Sequence, residues 1–66
     1  MRIRLDKETD ALYFRLDESR IVESEEIQPG VILDYDEKNQ VVGIEFLNIS
    51  FRMSQDSMSS VLFQMV

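Results

Sequence analysis

Residues 31–47, VILDYDEKNQVVGIEFL, contain two runs of alternating apolar and polar residues on either side of the polar turn 37–40. Alternation with a period of two is typical of a β-strand that buries one face. A turn centred on Lys38 and Asn39 places apolar residues opposite each other, whereas a shift of one residue would pair them with polar residues. The predicted pairs are Tyr35 with Val42, Leu33 with Ile44, and Val31 with Phe46. This stretch therefore predicts a β-hairpin with one apolar side.

The N-terminal residues 1–16 follow the same pattern, with predicted strands at 1–6 and 11–16 and a polar turn at 7–10. A turn symmetric about residues 8 and 9 again brings apolar residues together across the hairpin. Both hairpins thus favour an antiparallel sheet with a single apolar face. The predicted core is Met1, Ile3, Leu5, Leu12, Phe14, Leu16, Val31, Leu33, Tyr35, Val42, Ile44 and Phe46.

The segment between the hairpins ends at Pro29-Gly30, a pair that is typical of a tight turn. Residues 21–27 just before it are interpreted as a short additional strand. Its acidic side chains would suit an exposed sheet edge, where charge discourages pairing with other chains. They are Glu23, Glu25 and Glu26.

The C-terminal residues 51–66 form the second part of the predicted organisation, after a sheet spanning residues 1–50. Ser54 is a candidate helix cap, and a helical stripe follows at Met58, Val61, Leu62 and Met65. A strand at 61–66 is the alternative. The predicted fold is α+β, a small antiparallel β-meander of two hairpins with 4–5 strands and a C-terminal helical segment. That segment is expected to pack on the sheet or at a dimer interface.

The composition excludes several kinds of chemistry. The 66 residues include no cysteine and no histidine, so zinc sites of the usual kind and Ser-His or Cys-His nucleophile pairs are excluded. The net charge of −6 disfavours binding to nucleic acid and to anionic membranes. No signal peptide and no apolar run of about 20 residues is visible, so we expect a cytoplasmic location.

Three carboxylates, Asp34, Asp36 and Glu45, share the polar side of the second hairpin in the predicted register. They are a candidate site for a hard cation or for carboxylate chemistry. The simpler interpretation is a set of cross-strand ion pairs with Arg2, Arg4 and Arg15 of the first hairpin. Because that interpretation is favoured, no residue is assigned a catalytic, cofactor-binding or metal-binding role.

Two further residues lie on the polar side of the predicted sheet. Tyr13 is interpreted as apolar cover between arginines, and Gly43 as the site of a β-bulge rather than of a partner's backbone. Neither interpretation gives the residue a role in chemistry.

An ordered set of short motifs resembles domain-of-unknown-function family 2283, a family of small prokaryotic proteins. The motifs are Asp6, Asp10-Ala11-Leu12-Tyr13, Pro29-Gly30-Val31, Asp34-Tyr35-Asp36 and Val42-Gly43-Ile44-Glu45. The resemblance covers roughly residues 1–50 and departs from the family at the Lys38-Asn39 turn, where an Asp-Gly type is usual. It implies no established activity. It does suggest antitoxin-like partners, because some relatives sit beside small toxin genes.

The function expected from the sequence is that of a non-enzymatic interaction module without a cofactor. A domain this short buries a limited share of its surface, so an apolar sheet face favours association with a second copy as a dimer. One alternative is an antitoxin-like protein that neutralises a small basic toxin. The other is a carboxylate-based metal-binding or hydrolytic protein that uses Asp34, Asp36 and Glu45.

Overall fold

The computed structural model describes residues 1–54, which form a five-stranded antiparallel sheet followed by one 3₁₀ turn. The elements are β1 (Arg2–Asp6), β2 (Ala11–Arg15), β3 (Glu23–Gln28), β4 (Val31–Tyr35), β5 (Val41–Phe46) and η1 (Ile49–Phe51). The predicted antiparallel sheet is confirmed. The helical half of the α+β prediction is not supported, because η1 is the only helical element within residues 1–54. Ser54, the predicted helix cap, is the last described residue. The stripe of the predicted helix at Met58, Val61, Leu62 and Met65, and the alternative strand at 61–66, lie outside the described residues.

The strands follow the order β1-β2-β5-β4-β3, so the two predicted hairpins join through β2 and β5 rather than as one continuous meander. Leu12 lies opposite Phe46, and Phe14 lies opposite Ile44. These pairs continue the apolar row of one hairpin into the other. The acidic strand β3 occupies an edge, as its charge predicts.

The register predicted for the first hairpin is confirmed, with Ile3 opposite Phe14 and Leu5 opposite Leu12. In the second hairpin two of the three predicted apolar pairs are correct, Val31 with Phe46 and Leu33 with Ile44. The third is wrong, because the register shifts after Asp34 and Tyr35 pairs with Val41. Val42 is the extra residue of this β-bulge.

The turn between β4 and β5 explains why the register shifts. The Asp36 carboxylate accepts hydrogen bonds from the backbone amides of Lys38 and Gln40, each at 2.9 Å. Asn39 has a positive φ of 63°, a conformation that asparagine adopts more readily than most residues. The carboxylate therefore fixes a turn tighter than a symmetric hairpin end, and the bulge absorbs the difference.

The predicted core is only partly buried. Leu12, Val31 and Val42 are buried, whereas Met1 and Leu16 are 77% and 44% exposed. The other seven predicted core residues are half-buried, and Ile49 of η1 is buried although the sequence did not place it. The reason is architectural, since residues 1–54 supply one sheet layer and a single turn to cover its apolar face.

Candidate functional site

The polar face of the sheet holds a hydrogen-bonded cluster centred on the buried carboxylate of Asp34. The Tyr13 hydroxyl donates to Asp34 Oδ2 at 2.8 Å, and the Ser24 hydroxyl donates to Asp34 Oδ1 at 2.6 Å. These residues come from β2, β4 and β3, so the cluster spans the sheet from an inner strand to an edge. Because both oxygens accept a bond, the carboxylate can stay buried at 8% exposure.

Gly43 of β5 lies beneath this cluster. A Cβ atom at Gly43 would lie 2.6 Å from the Tyr13 hydroxyl and 2.8 Å from Asp34 Oδ2. A β-bulge does occur next to Gly43, at Val42, while Gly43 itself is paired on both sides, with Asp34 and with Arg15. Glycine is required here since two side chains of this chain cross its backbone at close range.

Arg15 connects the cluster to the loop that follows β2. Its Nε donates to the carbonyl oxygen of Asp17 at 2.6 Å, and its Nη2 donates to that of Ser19. Its Nη1 lies 3.5 Å from the Tyr13 hydroxyl. The predicted ion pairs between Arg15 and the carboxylates of the second hairpin are therefore absent among residues 1–54, where Arg2–Glu18 is the one ion pair.

The hydrogen bonds of this cluster hold β2, β3 and β4 together through their side chains. Burial raises the pKa of the Tyr13 hydroxyl above its usual 10.0, and the contact with Asp34 acts in the same direction. At neutral pH Tyr13 is therefore a proton donor and not a base. Each oxygen of the Asp34 carboxylate thus accepts one hydrogen bond, from Tyr13 or from Ser24, and the cluster joins β2, β4 and β3.

The three candidate carboxylates do not form one site. Asp34 is held by Tyr13 and Ser24, and Asp36 is held by the backbone of the β4–β5 turn. Glu45 lies opposite Tyr13 and Ile32, and its side chain makes no hydrogen bond or ion pair within the described residues. No group of three acidic side chains suited to a metal ion occurs in residues 1–54. The geometry therefore gives no support to the candidate cation site.

Other residues of the family-like motifs also have structural roles. The Asp6 carboxylate accepts from the backbone amides of Glu8 and Thr9, and these bonds, chiefly that of Thr9, hold its pKa below the usual 3.8. Gly30 has a φ of 81°, and its carbonyl oxygen accepts from Leu47 at 2.8 Å. Asp6 thus closes the turn after β1, and Gly30 joins the β3–β4 turn to the residue after β5.

Asp10 ties the first hairpin to η1. Its φ is 56°, and its backbone carbonyl oxygen accepts from the amide of Ile49 at 2.9 Å. Its carboxylate accepts from the hydroxyl of Ser50 at 2.7 Å and from the Ser50 amide at 3.2 Å. This contact joins residues 40 positions apart, and no pattern in the sequence indicated it.

On the opposite, apolar face of the sheet, η1 is the one covering element within residues 1–54. Phe14 and Phe46 meet edge to face with ring centroids 6.2 Å apart, and both remain half-buried. Where this face meets η1, it forms a groove of about 370 Å³. The groove is lined by Leu12, Phe14, Phe46, Ile49, Arg52 and Met53. Its lining is apolar apart from the side chain of Arg52.

Phe51 stands beside the groove on η1 and is 88% exposed. An aromatic side chain of this size is commonly at least half covered in a folded domain. Phe51 is not part of the predicted core, and the sequence did not indicate where it lies in the fold. Its nearness in sequence to the groove-lining residues 52 and 53 was the one signal that could have linked them.

Comparison with known proteins identifies one family. A sequence model described as a protein of unknown function (DUF2283) matches residues 2–50. No curated protein and no solved structure matches the chain. Within residues 1–54, no helix has the length and apolar character needed to cross a bilayer.

Proposed function

Because this chain belongs to the DUF2283 family of proteins of unknown function, we propose its function from geometry alone: it is a non-enzymatic module that associates with a second copy through the apolar face of its sheet. The observation that carries the proposal is the half-buried apolar row Ile3, Leu5, Phe14, Leu33, Ile44 and Phe46. We further propose a cytoplasmic location, which the cysteine-free composition supports.

The stability of the sheet depends on how much of its apolar face a second layer covers. A sheet with one apolar face reaches a stable state when a second layer covers that face. Residues 1–54 supply η1 as cover at one end, and Ile49 is the buried residue that it contributes. Each square ångström of apolar surface removed from water stabilises by about 25 cal/mol. A second copy offers an equal apolar surface, and a two-fold arrangement would bury both at once.

The charge distribution supports the same face. The glutamates of β3 lie at the sheet edge, and two β3 edges that approached each other would bring Glu23, Glu25 and Glu26 against their counterparts. Like charges opposite each other are destabilising. The residues of the groove are apolar apart from Arg52. Glu23 and Glu25 share this face only at its β3 edge, opposite Tyr35 and Leu33, so contact through the groove end brings little like charge together.

The test is the molar mass measured by light scattering coupled to size exclusion, from about 5 µM to 500 µM protein. We expect a rise from about one to two copies, with little dependence on salt, because apolar contacts are weakly screened. A mass of one copy at every concentration would refute the proposal.

A second candidate function is the binding of a basic protein along β3, the antitoxin-like role that the family resemblance suggests. All six residues of β3 are exposed, and one side of the strand is unpaired because β3 is an edge of the sheet. An extended partner could add a strand there through main-chain hydrogen bonds. Lysines on that partner would complement Glu23, Glu25 and Glu26.

This candidate is tested with a synthetic ten-residue peptide of alternating Lys and Val, with alternating Glu and Val as the matched control. We expect the Lys peptide to shift the amide NMR signals of residues 23–28, and the triple variant Glu23→Gln, Glu25→Gln, Glu26→Gln to lose the effect. Equal shifts with both peptides, or none with either, would remove this candidate.

A further inference from the structure

We propose that residues 61–66 of this chain occupy the groove between η1 and the apolar face of its own sheet, as an intramolecular cover. The inference goes beyond the proposed function. A second copy would meet this cover at the groove end of the face, and would meet Ile3, Leu33 and Ile44 outside the groove. Two observations carry it: the described chain leaves the sheet at the groove, and an apolar run follows shortly afterwards.

The described part of the chain ends at the groove. Met53 lines the groove, and Ser54 is the last described residue. The amides of Arg52 and Met53 both donate to the carbonyl oxygen of Ile49, at 3.0 Å and 2.9 Å. The amide of Ile49 in turn donates to the carbonyl oxygen of Asp10 at 2.9 Å. These hydrogen bonds fix the point from which the rest of the chain continues, and that point lies at the groove.

The sequence after Met53 divides into a polar spacer and an apolar run. Residues 54–60, SQDSMSS, are polar at six of their seven positions. Residues 61–66, VLFQMV, are apolar at five of their six positions and include no charged side chain. The run therefore has the same chemistry as the groove, whose lining is apolar apart from one arginine. Contact between the two removes apolar surface from water on both sides and buries no charge of the run.

The groove also has the size for part of the run. A cavity of about 150 Å³ lined by aliphatic and aromatic side chains accommodates benzene, and this groove measures about 370 Å³. Phe14 and Phe46 offer ring edges and faces, and Met53 offers a thioether that packs well against aromatic rings. The groove therefore holds two large apolar side chains of residues 61–66.

The length of the spacer selects the chain's own run over a free partner. Seven residues separate Met53 from Val61. An extended chain spans about 3.3 Å per residue, so the spacer reaches up to about 26 Å, whereas five neighbouring strands measure about 19 Å across. Every part of the groove is thus within reach. A short tether presents its end at an effective concentration in the millimolar range, which exceeds that of a second copy in a micromolar solution.

The first test locates the run by NMR in the full chain. In a uniformly labelled sample, NOEs should connect the methyl groups of Val61 and Leu62 with the ring protons of Phe14 and Phe46. In a 1:1 mixture of labelled and unlabelled chains, isotope-filtered spectra should lack these NOEs, because the contact lies within one copy. Their absence from the first sample would overturn the inference. Their presence in the filtered spectra would overturn it as well, since the groove would then hold the run of another copy.

The second test removes the apolar groups from the run. The double variant Leu62→Ser, Phe63→Ser should shift the methyl signals of Leu12 and Ile49, which line the groove. It should also raise the fluorescence of anilinonaphthalene sulfonate, a dye that binds exposed apolar surface. Gln64→Ser is the matched control, because it changes the same run without removing an apolar group, and it should do neither. Equal effects from both variants, or no effect of the double variant, would contradict the inference.

The outcomes separate this inference from the proposed function. A wild-type protein that dimerises in the light-scattering experiment but lacks the NOEs between the run and the groove would contradict the cover, while the self-association stands. A wild-type protein that shows those NOEs within one copy and has the mass of one copy at every concentration would refute the self-association, while the cover stands.

Discussion

The two faces of the sheet differ in how far their side chains are buried and hydrogen-bonded within residues 1–54. On the polar face, Asp34 is buried at 8% exposure and receives hydrogen bonds from Tyr13 and Ser24. On the apolar face, Phe14 and Phe46 are half-buried, and Phe51 of η1 is 88% exposed. Within residues 1–54, the buried polar atoms of the first face all have hydrogen-bond partners, whereas the second face is only partly covered.

We infer from this difference that the polar face contributes mainly to folding stability and the apolar face mainly to association. Within residues 1–54 every buried side-chain nitrogen or oxygen atom has a hydrogen-bond partner, so the polar face has little left to offer a ligand. The motif residues Tyr13, Asp34 and Gly43 all belong to that closed face. We therefore expect changes on the polar face to lower the free energy of unfolding and changes on the apolar face to weaken association.

The largest effect is expected for Gly43→Ala. The new methyl group would meet the Tyr13 hydroxyl at 2.6 Å and Asp34 Oδ2 at 2.8 Å, so the hydrogen bond between them must move. We expect the free energy of unfolding, measured by urea denaturation, to fall by about 3 kcal/mol. Adding Tyr13→Phe removes the closest atom, so the double variant should lose less than the sum of the single losses. A Gly43→Ala variant as stable as wild type would show that the polar face is not closed at this point.

A smaller effect is expected for Tyr13→Phe alone. The substitution leaves Asp34 Oδ2 buried without its donor, which should lower the free energy of unfolding by about 1–3 kcal/mol. Tyr35→Phe is the matched control, because the Tyr35 hydroxyl makes no hydrogen bond within the described residues, and it should cost less than about 0.5 kcal/mol. The dimer dissociation constant of Tyr13→Phe should equal that of wild type. A higher dissociation constant would contradict the assignment of stability to the polar face and of association to the apolar face.

The smallest effect is expected from acid, and it concerns the turns that lie outside both faces. Hydrogen bonds from Thr9 hold the pKa of Asp6 below 3.8, and the hydrogen bond from the Ser19 hydroxyl does the same for the pKa of Asp17. Because each pKa is lower in the folded state, the stabilisation is complete above pH 3.8 and is lost as pH falls through the folded-state values. Urea denaturation at pH 5 and pH 3 should show the loss, and Asp6→Asn should reduce it. An Asp6→Asn variant with the same acid loss as wild type would contradict this assignment.

The two hairpins were predictable because their pattern is local. Apolar residues at every second position fixed Ile3 opposite Phe14 and Leu33 opposite Ile44, and the acidic composition of β3 indicated an edge. The error at Tyr35 arose because a symmetric turn was assumed, while the Asp36 carboxylate draws the turn tighter. The candidate site was harder to predict. Asp34 was identified, but it was grouped with Asp36 and Glu45 instead of with Tyr13 and Ser24.

By itself, the sequence determined the strands, the register of the first hairpin, two of the three apolar pairs of the second and the apolar face that these pairs share, since each depends on residues close along the chain. Only the tertiary structure decided that β2 pairs with β5, that Tyr13 crosses Gly43 to reach Asp34, and that Asp10 holds η1 and Phe51 beside the groove. Contacts between residues 21 to 40 positions apart leave no periodic pattern in the sequence, because they depend on how whole strands are ordered in space.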